Sequence, residues 1–164
     1  ATVSSITYGS YSCPIDPTGY EQGNYTISAS SELGGQRSAY NAFYDHNNLN
    51  EELSSWHSSN GTSGQWLQWQ STEKVLINGY SLSFADRDSC LISSWRLEGS
   101  DDGNTWTALD SDSGYNPSRG TVLNRIVANE TSYFYHRIYV ESVNYGDYVT
   151  IGLIRAGEVI EYVY

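Results

Sequence analysis

Residues 95–110 read WRLEGSDDGNTWTALD, and this stretch decides the fold. Trp95, Leu97 and Gly99 alternate with Arg96, Glu98 and Ser100, the period of a strand with one buried face. Asp102-Gly103-Asn104 supplies turn residues, because Gly reaches positive φ without steric cost and Asp and Asn tolerate it. Trp106 and Ala108 alternate with Thr105, Thr107 and Leu109 on the return. The stretch predicts a β-hairpin joined near Asp101–Asn104, with Trp95 and Trp106 in the core.

The rest of the chain agrees with an all-β reading. Fifteen Tyr, five Trp and fifteen Gly among 164 residues are the usage of many short strands with frequent turns. Strands are expected around Val3–Tyr8 and Tyr25–Ser28, then near 66–70, 74–84, 93–99, 105–109, 121–127, 133–141 and 147–154. The run Glu158–Tyr164 reads as an additional C-terminal strand. No stretch holds an apolar 3.6-residue period, and residues 45–55 look like an irregular loop. The length fits one domain, residues 1–164, large enough to bury a core without staples. A two-sheet jelly-roll sandwich accommodates this many short strands.

In chain order, several further pieces accompany the hairpin. They are Asn41-Ala42-Phe43 with Asp45, Trp56-His57, Trp66-Leu67-Gln68-Trp69, Ile77-Gly79-Tyr80, and Tyr135 with Arg137-Ile138 and Val140. Together with residues 95–106 they resemble the discoidin family, also called factor V/VIII type C domains, which shares its fold with galactose-binding carbohydrate-binding modules. The resemblance spans roughly residues 28–152. It implies a galactose-binding-like β-sandwich. In the sugar-binding members, a His directly after the motif Trp and an Arg in the loop after Gly-Tyr contact the ligand. Those positions are His57 and, with a loop shift, Arg87, flanked by Asp86 and Asp88. The family also often holds a structural Ca²⁺ in the loop after Asn-Ala, closed by a Glu in the last strand. Asp45 and Ser54 fit two ligand positions, but Leu153 stands where the closing Glu belongs.

Charge and motifs exclude other classes. The formal net charge is −11, with only eight basic residues. That argues against nucleic acid and against anionic membrane lipid, both of which recruit basic patches. No apolar run approaches the roughly 20 residues of a membrane helix. Three histidines, no G-x-S-x-G elbow and no Cys/His cluster at zinc spacing give no catalytic constellation, so the reading is non-catalytic.

A sugar site needs an aromatic face for the ring's C–H patch and a few polar groups for its hydroxyls. Tyr20, Tyr115 and Tyr145, set in loops rich in Gly, Pro and Asn, are candidates beside His57, Asp86 and Arg87. For each Tyr the plain alternative is loop packing; for His57 it is an exposed loop side chain. Two cysteines, Cys13 and Cys90, are expected to pair, on their even count and loop positions. The triplets at Asn24, Asn60 and Asn129 fit glycosylation and, with the cysteines, an extracellular or particle-surface location. The functional expectation is a lectin-like domain binding a glycan or glycoprotein. The rival is a structural subunit of a virion, filament or matrix, assembling as a homo-oligomer through the C-terminal strand.

Overall fold

The computed structural model describes residues 1–45, 55–59, 61–84 and 90–164. The strands among them are β1 (Thr2–Val3), β2 (Ser5–Tyr11), β3 (Glu21–Gln22), β4 (Tyr25–Ala29), β5 (Trp56–His57), β6 (Gln65–Leu76), β7 (Gly79–Ser83), β8 (Ile92–Ser100), β9 (Thr107–Asp112), β10 (Val122–Ile126), β11 (Ser132–Val143), β12 (Thr150–Ile151) and β13 (Leu153–Val163). Short 3-10 turns cover Gly35–Arg37 and Ala39–Phe43. The strands build a five-stranded sheet, β1-β10-β7-β13-β2, and a six-stranded sheet, β3-β4-β6-β11-β8-β9; β12 and β5 form a separate pair. The fold is an all-β sandwich of the galactose-binding type.

The period-2 pattern sets the faces. On β11, His136, Ile138 and Val140 are buried and the residues between them are half-buried. Leu67 and Trp69 on β6 and Trp95 and Leu97 on β8 are completely buried, while Trp66 and Gln68 keep partial exposure, as alternation requires. Buried indole N–H groups need partners. Trp56 donates to the Ser31 carbonyl at 2.9 Å, Trp69 to the Ser12 carbonyl at 3.0 Å, and Trp95 to the Tyr80 hydroxyl at 3.0 Å.

The hairpin forms as expected. β8 and β9 are antiparallel, with Glu98 opposite Ala108 and Gly99 opposite Thr107. Asp102 shapes the turn: its Oδ1 accepts the Asn104 and Thr105 N–H groups, each at 2.8 Å. These bonds favour the carboxylate and hold its pKa at about 2. Gly99 is required by packing, because a Cβ there would lie 2.5 Å from the Tyr133 ring.

Trp106 departs from the expectation of a core position. It is half-buried on the outer face, where the Arg137 guanidinium lies 4.0 Å from its ring centroid. Arg137 Nε in turn donates to Glu98 at 2.8 Å, and Arg96 lies 4.4 Å over Tyr139. The Trp therefore closes an arginine–aromatic ladder across the outside of the six-stranded sheet.

Two expected strands divide. The 74–84 run breaks at Ile77-Asn78, because the chain crosses there from β6 in one sheet to β7 in the other. Asn78 fixes the crossing: its Oδ1 accepts the Val159 N–H at 2.8 Å. The 147–154 run breaks at Gly152, and what looked like a separate terminal strand is the second half of β13. That half pairs with β2 inside the chain, so β2, not the C-terminal strand, is the sheet edge.

The cysteine pairing is corrected. Cys13 and Cys90 are free buried thiols with different surroundings. Cys13 accepts the Ala156 N–H at 3.3 Å inside the sandwich, and burial pushes its pKa up to about 11. Cys90 packs on Gly146, where a Cβ would meet its sulfur at 2.2 Å. Each thiol behaves as a small core side chain.

Candidate functional site

The starts of β6 and β8 and the end of β11 meet at one end of the sandwich, since Gln65 opposes Val140 and Ile92 opposes Val143. The β5–β12 pair caps that end, with His57 opposite Thr150 and Trp56 opposite Ile151. The segment after β4 is tied to it. The Leu33 N–H donates to the His57 carbonyl at 3.0 Å, and the Ser59 N–H to Ser31 Oγ at 3.1 Å.

His57 is not an exposed loop histidine. It is 2% exposed, and its ring stacks on Tyr148 at 5.2 Å and 27°. Arg37 Nη1 donates to His57 Nε2 and, at 2.9 Å, to Ser55 Oγ. A guanidinium only donates, so Nε2 is the acceptor of this bond. A phenol ring thus covers the face of the imidazole, and a guanidinium binds its edge.

The other expected residues divide. Tyr145 is 71% exposed, at the tip of the turn that follows β11 and packs on Cys90 through Gly146. Tyr20 is partly exposed; its hydroxyl donates to Glu32 Oε1 and its ring meets Tyr40 edge-on at 5.3 Å. Burial and Glu32 raise the Tyr20 pKa above the ordinary phenol value. Tyr115 lies at the same end, but its ring packs on Phe84 and Trp95, each at 5.7 Å, so it serves the core. Asp86 and Arg87 lie outside the described residues; Phe84 and Cys90, which flank that segment, belong to this end. The missed members are Arg37, Glu32, Ser55 and Tyr148. Arg37 carried one signal, as the basic residue just before the Asn41-Ala42 motif.

Two depressions, of about 470 and 240 Å³, lie elsewhere. The first is lined by Asn78 and residues 127–131, the second by the hairpin turn and Tyr133. Leu76 opposes Ser132 and Ser100 opposes Tyr135, so both belong to the far end of β6, about 35 Å from Gln65 at strand rise.

The calcium expectation rests on Asp45 and Ser54. Ser54 lies outside the described residues. Asp45 is exposed, and its N–H donates to Asp16 Oδ1 at 2.9 Å. Among the described residues no three His, Cys, Asp or Glu side chains gather to hold a metal. The Phe43 carbonyl, next after Asn41-Ala42, accepts from Arg155 Nη1 at 2.8 Å. Among the described residues, the charge set against the Phe43 carbonyl is therefore a guanidinium.

The F5/8 type C domain model matches residues 26–154. The chain belongs to this family. No curated protein is significantly similar to it in sequence. Solved structures share the fold. CpGH89CBM32-5 from Clostridium perfringens, in complex with GalNAc-β-1,3-galactose, has a TM-score of 0.67 and 17% identity over 82% of this chain and 95% of its own. The family 32 module of C. perfringens NanJ, in complex with galactose, has a TM-score of 0.64 and 16% identity over 81% and 93%. Chitosan-binding module 1 from a Paenibacillus sp. IK-5 chitosanase/glucanase has a TM-score of 0.64 and 20% identity over 81% and 94%.

Proposed function

We propose that this F5/8 type C domain is a non-catalytic glycan-binding module that takes its ligand at the loop end built around His57. The observation that carries this is the cluster of Arg37, His57 and Tyr148, hydrogen-bonded and stacked at the end that also displays Tyr145. The exposed Tyr145 offers aromatic surface for the C–H face of a pyranose, and the half-buried Arg37 and Tyr148, positioned by the buried His57, offer polar groups for its hydroxyls. Burial holds His57 and Ser55 in place, so little ordering is left for binding to supply. The structural neighbours crystallised with galactose and a galactoside support the ligand class. Single shallow sites bind weakly, so the module gains from display in several copies, outside a cell or on a particle.

The test is a glycan array followed by titration of the best ligand against Tyr145→Ala and Tyr20→Ala, both at exposed rings. Tyr145→Ala is expected to weaken binding about tenfold, equivalent to about 1.4 kcal/mol, with melting unchanged. No glycan bound on the array, or full affinity in both variants, refutes the proposal.

One observation favours assembly as a second role. Ile160, Tyr162, Val163 and Tyr164, at or beyond the end of β13, are 71%, 43%, 54% and 82% exposed. They are four of the ten exposed large hydrophobic residues described, and they fall within five positions of one strand end. Contiguous patches of this kind serve contacts between proteins. Light scattering of the native protein and of Ile160→Ser separates a dimer held there from a monomer.

A further inference from the structure

Three contacts converge beside the turn that follows Ser38, at the place where the family often binds calcium. Arg155 lies on β13 two residues beyond Leu153, so the two share a face. Its side chain is 14% exposed. Nη1 donates to the Phe43 carbonyl at 2.8 Å and to the Ile154 carbonyl at 3.0 Å, and Nη2 reaches Asp16 Oδ1 at 3.4 Å. The Asp16 N–H donates to the same Phe43 carbonyl at 3.1 Å, and Asp16 Oδ1 also accepts the Asp45 N–H. Asp16 holds a φ of 48°, left-handed backbone that Asp tolerates better than most residues.

The oxygens gathered here, a backbone carbonyl and a carboxylate, are of the kind a hard cation collects. The cation present is part of the chain. A guanidinium differs from a metal in offering directed N–H bonds and a charge that no chelator removes. Its position explains how the sequence tolerates Leu153: the closing carboxylate is dispensable once the positive charge comes from the same strand. A divalent ion at the Phe43 carbonyl would meet the guanidinium as a like charge at contact distance, in a partly buried site where screening is poor.

We propose that the Arg155 guanidinium replaces the family's calcium in this chain, joining the last strand to the Asn41-Ala42-Phe43 turn and the Asp16 loop, and that no divalent ion binds at that junction. The proposal is independent of the glycan reading, since its measurements use no sugar.

The test compares thermal melting of the wild type in ~1 mM calcium, at the upper end of extracellular affinities, and in a chelator. It adds Arg155→Met, Arg155→Lys and the double variant Leu153→Glu/Arg155→Met. The wild type is expected to melt identically in both buffers. Arg155→Met should melt lower, Arg155→Lys in between, and the double variant should recover stability only with calcium. Wild-type melting that rises with calcium and falls with chelator overturns the proposal, as does Arg155→Met melting like wild type. If Arg155→Met fails to fold, terbium luminescence on the wild type decides. No saturable site upholds the proposal, and a saturable site abolished by Asp16→Asn overturns it.

Discussion

His136 offers a sharp test of the core. The ring is completely buried on β11, stacked on Trp69 at 5.9 Å and 22° and meeting Tyr133 edge-on at 6.0 Å. Neither nitrogen has a hydrogen-bond partner among the described residues. Burial lowers its pKa from 6.5 to about 3, since a charged imidazolium would lose its hydration with nothing in exchange. The unfolded chain therefore binds a proton through this pH window that the folded chain refuses. Stability is full above pH 6.5 and falls as the pH drops toward 3, at about 1.4 kcal/mol per unit, for a total of about 5 kcal/mol.

His136→Leu keeps nearly the same volume and removes the titration. At pH 7 the variant regains the cost of burying an unpaired polar ring, ~1–3 kcal/mol, and loses ring stacking worth ~0.5–1.5 kcal/mol. The net change there is small and favourable. At pH 5 the wild type has lost about 2 kcal/mol that the variant keeps, which for a chain of this length is roughly 4–8 °C in melting temperature. Urea unfolding followed by tryptophan fluorescence at pH 7, 6 and 5 measures both proteins. Every other titrating group cancels in the difference, so the reasoning fails if the gap between variant and wild type stays constant across those three pH values.

Three further outcomes follow from the packing. Tyr80→Phe removes the hydroxyl that accepts from Trp95 and donates to Asp110 at 2.7 Å, leaving a buried indole N–H unpaired; urea unfolding is expected to show a loss of ~1–3 kcal/mol. Gly99→Ala drives a methyl into the Tyr133 ring and should cost a similar ~1–3 kcal/mol by overpacking, whereas alanine at Gly19, where nothing lies within 4 Å, should unfold like wild type. Two thiols are expected to react with a disulfide reagent in unreduced, denatured protein and neither in the native state, because both are buried and the Cys13 pKa stands near 11.

The fold was legible because its strongest signals are local. Alternation in 95–100 and the Asp102-Gly103-Asn104 turn specify a hairpin without reference to anything distant. The site was less legible because its members meet only through tertiary contacts. Arg37 reaches Ser55 and His57 across eighteen and twenty residues, and Tyr148 arrives from the far side of the chain. The cysteine expectation failed for the same reason: an even count says nothing about which core each sulfur enters. Trp106 misled because a strand-adjacent Trp reads as core, while its partner Arg137 lies thirty-one residues on and cannot be inferred by alternation.

The residues that make the family recognisable mostly hold the frame. Glu98 of the Leu-Glu-Gly motif binds Arg137 of the Tyr-x-Arg motif, which covers the motif's Trp106. Tyr80 links Trp95 to Asp110, and Asp110 takes a two-point ion pair from Arg125, binding β7 and β10 of one sheet to β8 and β9 of the other. Both sets are partly shielded from water, so removing one partner strands the other's charge or N–H, which costs more than the pair contributes. Exchange of Tyr145, exposed on the turn after β11, is expected to leave both sets intact, whereas exchange of Arg37 or Tyr148 removes a partner of the buried His57.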